Sequence, residues 1–162
     1  PDHPLGGHAA FYEFCCTASE VSVDRETGEV QLLRHVTVSD VGKALNPTHV
    51  AMQDEGAAMM GIGQTLMEHL VFDEASGRIQ NLGALDYRIV TTKDVPLEME
   101  SLTVENEDGP GPYGSKGTGE SGLLSTAPAI ASAISDATGA AIRDLPLTPE
   151  RIWRALQEHD RG

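Results

Sequence analysis

The nine residues Gly114-Ser115-Lys116-Gly117-Thr118-Gly119-Glu120-Ser121-Gly122 hold four glycines, one lysine and one carboxylate. That composition suits neither a helix nor a strand interior; it suits a loop whose backbone comes close to a ligand. Within it, Glu120 is a group able to take a proton and Lys116 a group able to meet an anion. Gly117 to Gly122 also matches G-x-G-x-x-G, a pattern that binds dinucleotides only between a strand and a helix starting at its last glycine. Here Pro110-Gly111-Pro112-Tyr113 precedes the run, and helix signals return only at Ser125 to Pro128. A phosphate-binding P-loop fails as well, because Lys116 stands before the closing glycines. On composition alone, an ordinary glycine-rich surface turn remains the alternative.

The elements that must position this loop read as an α+β fold: an antiparallel or mixed sheet built from hairpins, with about three helices packed on it. Residues 1–9 read as a loop. A strand over 11–23 turns at Asp24 to Glu29, where Gly28 suits positive φ, and returns over 30–39. Val30, Leu32, His35 and Val36 cannot share one face at period two, so the return strand carries a bulge or is buried on both faces. Asn46 caps a helix over about 47–69 that enters at Pro47. Its glycines, Gly56, Gly61 and Gly63, predict close approach of another backbone, a ligand or the sheet.

A second, shorter hairpin is expected over 71–79, an extended piece over 86–90 with Asp86 and Arg88 as a structural pair, and a half-exposed edge strand over 97–105. After the loop, Ser125 or Thr126 caps a helix with Pro128 in its first turn, stopped by Gly139. Thr148 caps a last helix to about 158, with Leu147 stapled to Ile152.

Composition excludes several classes. A chain of 162 residues with 40% hydrophobic content can hold one core, and it has no apolar run near the ~20 residues of a membrane span. A net charge of -14 argues against a nucleic-acid partner. Cys15 and Cys16 are adjacent and point to opposite faces of a strand, so neither a disulfide nor a two-sulfur metal site joins them. Any iron-sulfur cluster must then reside on another chain, and free thiols suit a reducing cytoplasm. The six histidines are scattered, so no metal held by protein ligands is expected. The chain starts at Pro1 without methionine, which reads as a processed chain, a split subunit or a cut piece.

The ordered blocks Lys116-Gly117-Thr118-Gly119-Glu120, Asp136-Ala137-Thr138-Gly139 and Asp144-Leu145-Pro146-Leu147-Thr148-Pro149-Glu150-Arg151 resemble the C-terminal end of the large subunit of the xanthine dehydrogenase and aldehyde oxidase family, the molybdenum hydroxylases. Gln53, Glu55, Gly56, Gly61 and Gly63, following Asn46-Pro47, match that family's Gln-x-Glu-Gly-x-x-x-x-Gly-x-Gly run. The resemblance implies a molybdopterin cofactor, plain or as its cytosine dinucleotide, carrying molybdenum through the pterin dithiolene.

By the same match Glu120 is the base beside the metal, Gln53 touches the pterin, and Ser115, Lys116, Gly117, Thr118 and Gly119 line the cofactor. The implied reaction is hydroxylation of an aldehyde or N-heteroaromatic carbon with water as oxygen source. Residues 1–162 then form a single C-terminal molybdopterin-binding domain or split subunit, with sheet and glycine-rich helix over 10–105 and active-site loop and C-terminal helices over 106–158. The remainder of the molybdenum-binding subunit, an iron-sulfur unit with 2Fe-2S clusters and a flavin unit with FAD would complete a cytoplasmic enzyme. A non-catalytic association module keeping the family fold is the alternative. One departure from the family is Ser121-Gly122, where many members have proline after the glutamate, a change expected to loosen the loop or alter substrate fit.

Overall fold

In the computed structural model, residues 12–161 are described, so the expected loop at 1–9 lies outside the described residues. Strand β1 (Cys15–Val23) turns back into β2 (Val30–Gly42) through a turn whose Gly28 takes φ 78°. A β-carbon there would collide with the carbonyl of Pro149, which begins the last helix. The expected bulge is present: Glu20 pairs with Arg34 and Val21 with Leu32, leaving Leu33 unopposed. That extra residue puts Leu32 and His35 on one buried face, continued by Thr37, Ser39 and Val41.

The third strand, β3 (Glu98–Glu105), pairs parallel to β2, giving a mixed sheet of order β1-β2-β3. Its outer edge is the acidic, half-exposed strand that the alternation of 97–105 anticipates. Sequence reading also expects a second hairpin and an extended piece at 86–90. The first shrinks to the bridge between Phe72 and Ile79, and the second is irregular. These residues have no sheet to extend: Leu82, Leu85 and Ile89 are 79%, 94% and 63% exposed, so their apolar side chains make no core that would fix a strand. Among the described residues no ion pair joins Asp86 to Arg88.

Helix α1 (Pro47–Leu66) starts as anticipated, with the Asn46 side chain accepting from the His49 amide, and ends three residues early where Met67 leaves helical geometry. Helix α2 (Ser121–Thr138) begins four residues before the Ser125 cap read from sequence, so Pro128 lies inside it, and Gly139 ends it at φ 80°. Helix α3 (Pro149–His159) carries the anticipated Thr148 cap, with Leu147 and Ile152 both buried.

The three glycines inside α1 cost about 1 kcal/mol each relative to alanine. Gly61 recovers this through contact, because a β-carbon there would sit 2.7 Å from Thr126 Cβ on α2. The approach buries Ile62, Ile130 and Ile134 almost completely, and about 2 kcal/mol for each such side chain outweighs the glycine cost. Leu32, Leu147, Ile152 and Leu156 complete the same core.

Toward the other end of β2 the buried face turns polar. His35 is fully buried, with Ser19 Oγ 2.9 Å from Nδ1 and Thr126 Oγ1 3.3 Å from Nε2. Because Thr126 donates its own proton to the Gly122 carbonyl at 2.6 Å, the network assigns Nε2–H as donor to Thr126 and Nδ1 as acceptor from Ser19. Burial lowers the His35 pKa below its usual 6.5. Neutral in both states above about pH 6.5, the ring adds no pH dependence there; below that value the unfolded chain takes up the proton more readily, so stability falls with acidification. Hydrogen-exchange protection of α2 amides is expected to drop between pH 6.5 and acid, and His35→Gln is expected to remove that dependence.

Candidate functional site

The loop is built onto the end of β2. Lys116 donates its amide to the Val41 carbonyl at 2.9 Å, and the Gly114 carbonyl accepts from the amides of Gly109 at 3.0 Å and Lys43 at 3.3 Å. Gly42 takes φ 62° and Gly114 φ 77°; a β-carbon on Gly42 would overlap the Gly114 carbonyl, and one on Gly114 would overlap the Glu107 backbone. Backbone contact this close admits only glycine, which explains two of the glycines without a ligand.

Lys116 reaches inward. Its Nζ lies 2.6 Å from Asp40 Oδ2, with the side chains 5% and 16% exposed respectively. Asp40 Oδ1 accepts in addition from the Gly42 amide at 3.1 Å and Asn106 Nδ2 at 2.8 Å. The Lys116 ammonium, with help from these donors and against a smaller effect of burial, holds the Asp40 carboxyl below its usual range. Ser115 is likewise buried, packed against Gly111.

Beyond Lys116 the chain is exposed or half-exposed. Among the described residues, no hydrogen bond uses the amides of Gly117, Thr118 or Gly119. Gly119 lies against Gln53, whose Oε1 would be 3.9 Å from a β-carbon at that position, and Gln53 itself is exposed on α1. The structure therefore brings together two segments that sequence reading could join only through a resemblance. The Thr118 hydroxyl is buried and, among the described residues, has no hydrogen-bond partner.

Glu120 occupies the residue before the first turn of α2, exposed, with no capping bond from its side chain. Ser121 and Gly122 do the opposite of loosening the loop. Ser121 is buried with Oγ 3.3 Å from both Asp54 Oδ1 and Ser39 Oγ, and a β-carbon on Gly122 would be 3.1 Å from the Asp54 carbonyl oxygen. The departure from proline thus fixes the start of α2 on α1, with the small residue needed for contact.

Three charged residues of this site escape a reading of the motif alone. Asp54 is fully buried and accepts from Ser121 and, through Oδ2 at 3.2 Å, from Ser101. A signal for it exists: Val50, Asp54, Ala57, Ala58, Gly61 and Ile62 fall at helical spacing on one buried stripe. Asp40 and Glu13 carry no such signal. Glu13 joins Phe14, Cys15, Glu120, Ser121, Leu123, Leu124 and Ser125 in lining a cleft of about 640 Å³.

Taken together, a carboxylate at the mouth of a cleft, unbonded amides and a carboxamide beside them can accept a proton and hold a polar organic group. The unpartnered Thr118 hydroxyl and the amides of Gly117, Thr118 and Gly119 fit the ring and phosphate oxygens of such a group. Among the described residues no group of three or more histidine, cysteine or acidic side chains could hold a metal ion, and no helix is long and apolar enough to cross a membrane.

The chain is similar to several known proteins. Residues 2–96 match the family described as the molybdopterin cofactor-binding domain. The xanthine dehydrogenase molybdenum-binding subunit of Escherichia coli O157:H7 is 39% identical over 140 residues, covering 86% of this chain and 18% of that protein. The aldehyde oxidoreductase molybdenum-binding subunit of Escherichia coli K12 is 35% identical, covering 86% of this chain and 19% of its own length. Quinoline 2-oxidoreductase from Pseudomonas putida 86 superposes with a TM-score of 0.76 at 35% identity, over 85% of this chain and 18% of that one. Reconstituted CO dehydrogenase from Oligotropha carboxidovorans, at 23% identity and a TM-score of 0.81, shares the fold. The chain spans about a fifth of the length of these relatives.

Proposed function

The chain belongs to the molybdopterin cofactor-binding domain family of the xanthine dehydrogenases and aldehyde oxidoreductases, and on that premise we propose that it is the base-bearing C-terminal part of a molybdenum hydroxylase. The reaction is oxidation of an aldehyde or N-heteroaromatic carbon with water as oxygen source. The strongest support is that Gln53 lies beside Gly119 in the loop that carries Glu120, where the amides of Gly117, Thr118 and Gly119 make no hydrogen bond among the described residues.

In this reading Gln53 and the three amides hold the molybdopterin, as plain pterin or cytosine dinucleotide, and the bound cofactor supplies the two-electron oxidation. Glu120 takes the proton from the water-derived hydroxyl as the oxygen attacks the substrate carbon. Lys116 acts through its bond to Asp40, which would hold the loop in place for the cofactor, and Ser115 acts from the buried side of the same loop.

One core draws on β2, α1, α2 and α3, which supports a single domain over both halves of the chain. The exposed Leu82, Leu85 and Ile89 suit cover by the remainder of the molybdenum-binding subunit. Iron-sulfur clusters and FAD on further chains would carry the electrons away, and the free Cys15 and Cys16 suit assembly in the cytoplasm.

Elemental and pterin analysis of the assembly purified through this chain tests the reading. Molybdenum and molybdopterin in equal amounts are expected. Gln53→Ala is expected to reduce both by about tenfold under washing, the weight of one or two hydrogen bonds. An assembly free of molybdenum would instead support a non-catalytic association module.

A further inference from the structure

Glu13 is the one carboxylate of the cleft that the proposed reaction leaves without a task. It lines the same wall as Glu120 and Ser121, yet its Oε1 is buried and, among the described residues, has no hydrogen-bond partner. A carboxylate oxygen sealed from water without a donor costs a full desolvation penalty when charged, and a proton removes most of that cost.

The surroundings push the same way. Asp54 faces Glu13 from α1 and Asp40 from β2, both acidic, while Lys116 is the cation facing it from the loop. That ammonium is already bonded to Asp40 at 2.6 Å. Burial is the leading cause that raises the Glu13 pKa above its usual 4.5; the Ser121 hydroxyl opposes it, Asp54 and Asp40 add to it, and Lys116 opposes it weakly.

We propose that Glu13 is the proton-holding carboxyl of the cleft, so that a proton bound there resides on Glu13. Two carboxyls then stand in different surroundings within one site, one half-buried with a sealed oxygen and the other exposed. Glu13 is a positioning residue in this arrangement: neutral, it adds no second negative charge to the cleft that Glu120 lines.

The placement of the proton follows from residues of this chain; its consequence for turnover rests on the molybdenum hydroxylase reading. Infrared difference spectra of the assembled protein, followed as pH falls toward the ordinary glutamate range, separate the two. A protonated carboxyl C=O band is expected in the protein and in Glu120→Gln, and is expected to vanish in Glu13→Gln. Persistence of the band in Glu13→Gln, or its loss in Glu120→Gln alone, overturns the proposal. An assembly with no turnover would count against the hydroxylase reading and leave the infrared result to decide the placement of the proton.

Discussion

Glu120→Gln in the assembled enzyme is expected to lower kcat by about 10²- to 10⁴-fold, the usual weight of a positioned general base, while molybdopterin content and subunit assembly stay unchanged. The structure makes this exchange unusually clean. The Glu120 side chain is exposed and makes no capping bond to α2, so the isosteric amide removes the basic oxygen and no structural contact. The next residues, Ser121 and Gly122, remain held by Asp54 and Ser39 and keep the backbone in place.

Because substrate binding does not use the transferred proton, KM is expected to change little and the loss to appear in kcat and kcat/KM alike. Steady-state turnover with an aldehyde and an N-heteroaromatic substrate, paired with molybdenum analysis of the same preparations, measures it. Turnover within threefold of the parent protein, at equal molybdenum, would sink the assignment of Glu120 as base. Glu120→Asp retains the carboxylate but withdraws it by one methylene. An intermediate loss is expected, since about an ångström of misplacement is enough to cost two orders of magnitude.

What the residues disclosed unaided, and what they withheld, follows from the range of the forces involved. Caps and turns are local, and Asn46, Thr148, Gly28 and Gly139 perform the roles their types predict. The start of α2 is not local. Ser121 and Gly122 are poor helix formers, and they become the first turn because Asp54, some 67 residues away in sequence, receives the Ser121 hydroxyl.

The parallel pairing of β3 with β2 is similarly invisible in either strand, since alternation gives the exposed face and not the direction of a partner. In the site, the motif names Glu120 and the glycines but cannot tell a lysine that faces a ligand from one that faces inward. Glu13 lies just ahead of β1, more than a hundred residues before the loop it meets, with no spacing to announce it. Asp54 alone among the unanticipated charges could have been found, on the buried stripe of α1.

That inward lysine carries the second large effect. Lys116→Met is expected to release the loop from β2, because it leaves Asp40, only 16% exposed, without its cation. Removing one partner of a buried ion pair costs about 3–5 kcal/mol, and partial exposure of Asp40 reduces this to roughly 2–3 kcal/mol. The Gly42 amide and Asn106 Nδ2 remain as donors and keep the loss from being larger. A penalty of that size corresponds to roughly a 30- to 150-fold rise in local opening, read as hydrogen exchange at Lys116 and the amides that follow it.

Asp40→Asn alone is expected to be comparably harmful, since it strands a lysine that is 5% exposed, whereas Asp40→Asn with Lys116→Met should recover much of the loss. That non-additivity is the signature of a direct pair. The pH dependence has a definite sign: with the Asp40 pKa held below its usual 3.8, the lock is complete above that value and weakens only as pH falls through the lowered folded value. Loop protection should therefore be flat from neutrality down to about pH 4 and collapse below it. A Lys116→Met assembly that loses molybdopterin while its loop stays fully protected would instead place the ammonium on the cofactor, and the rigid loop would have to be held by the Val41 and Gly114 backbone bonds alone.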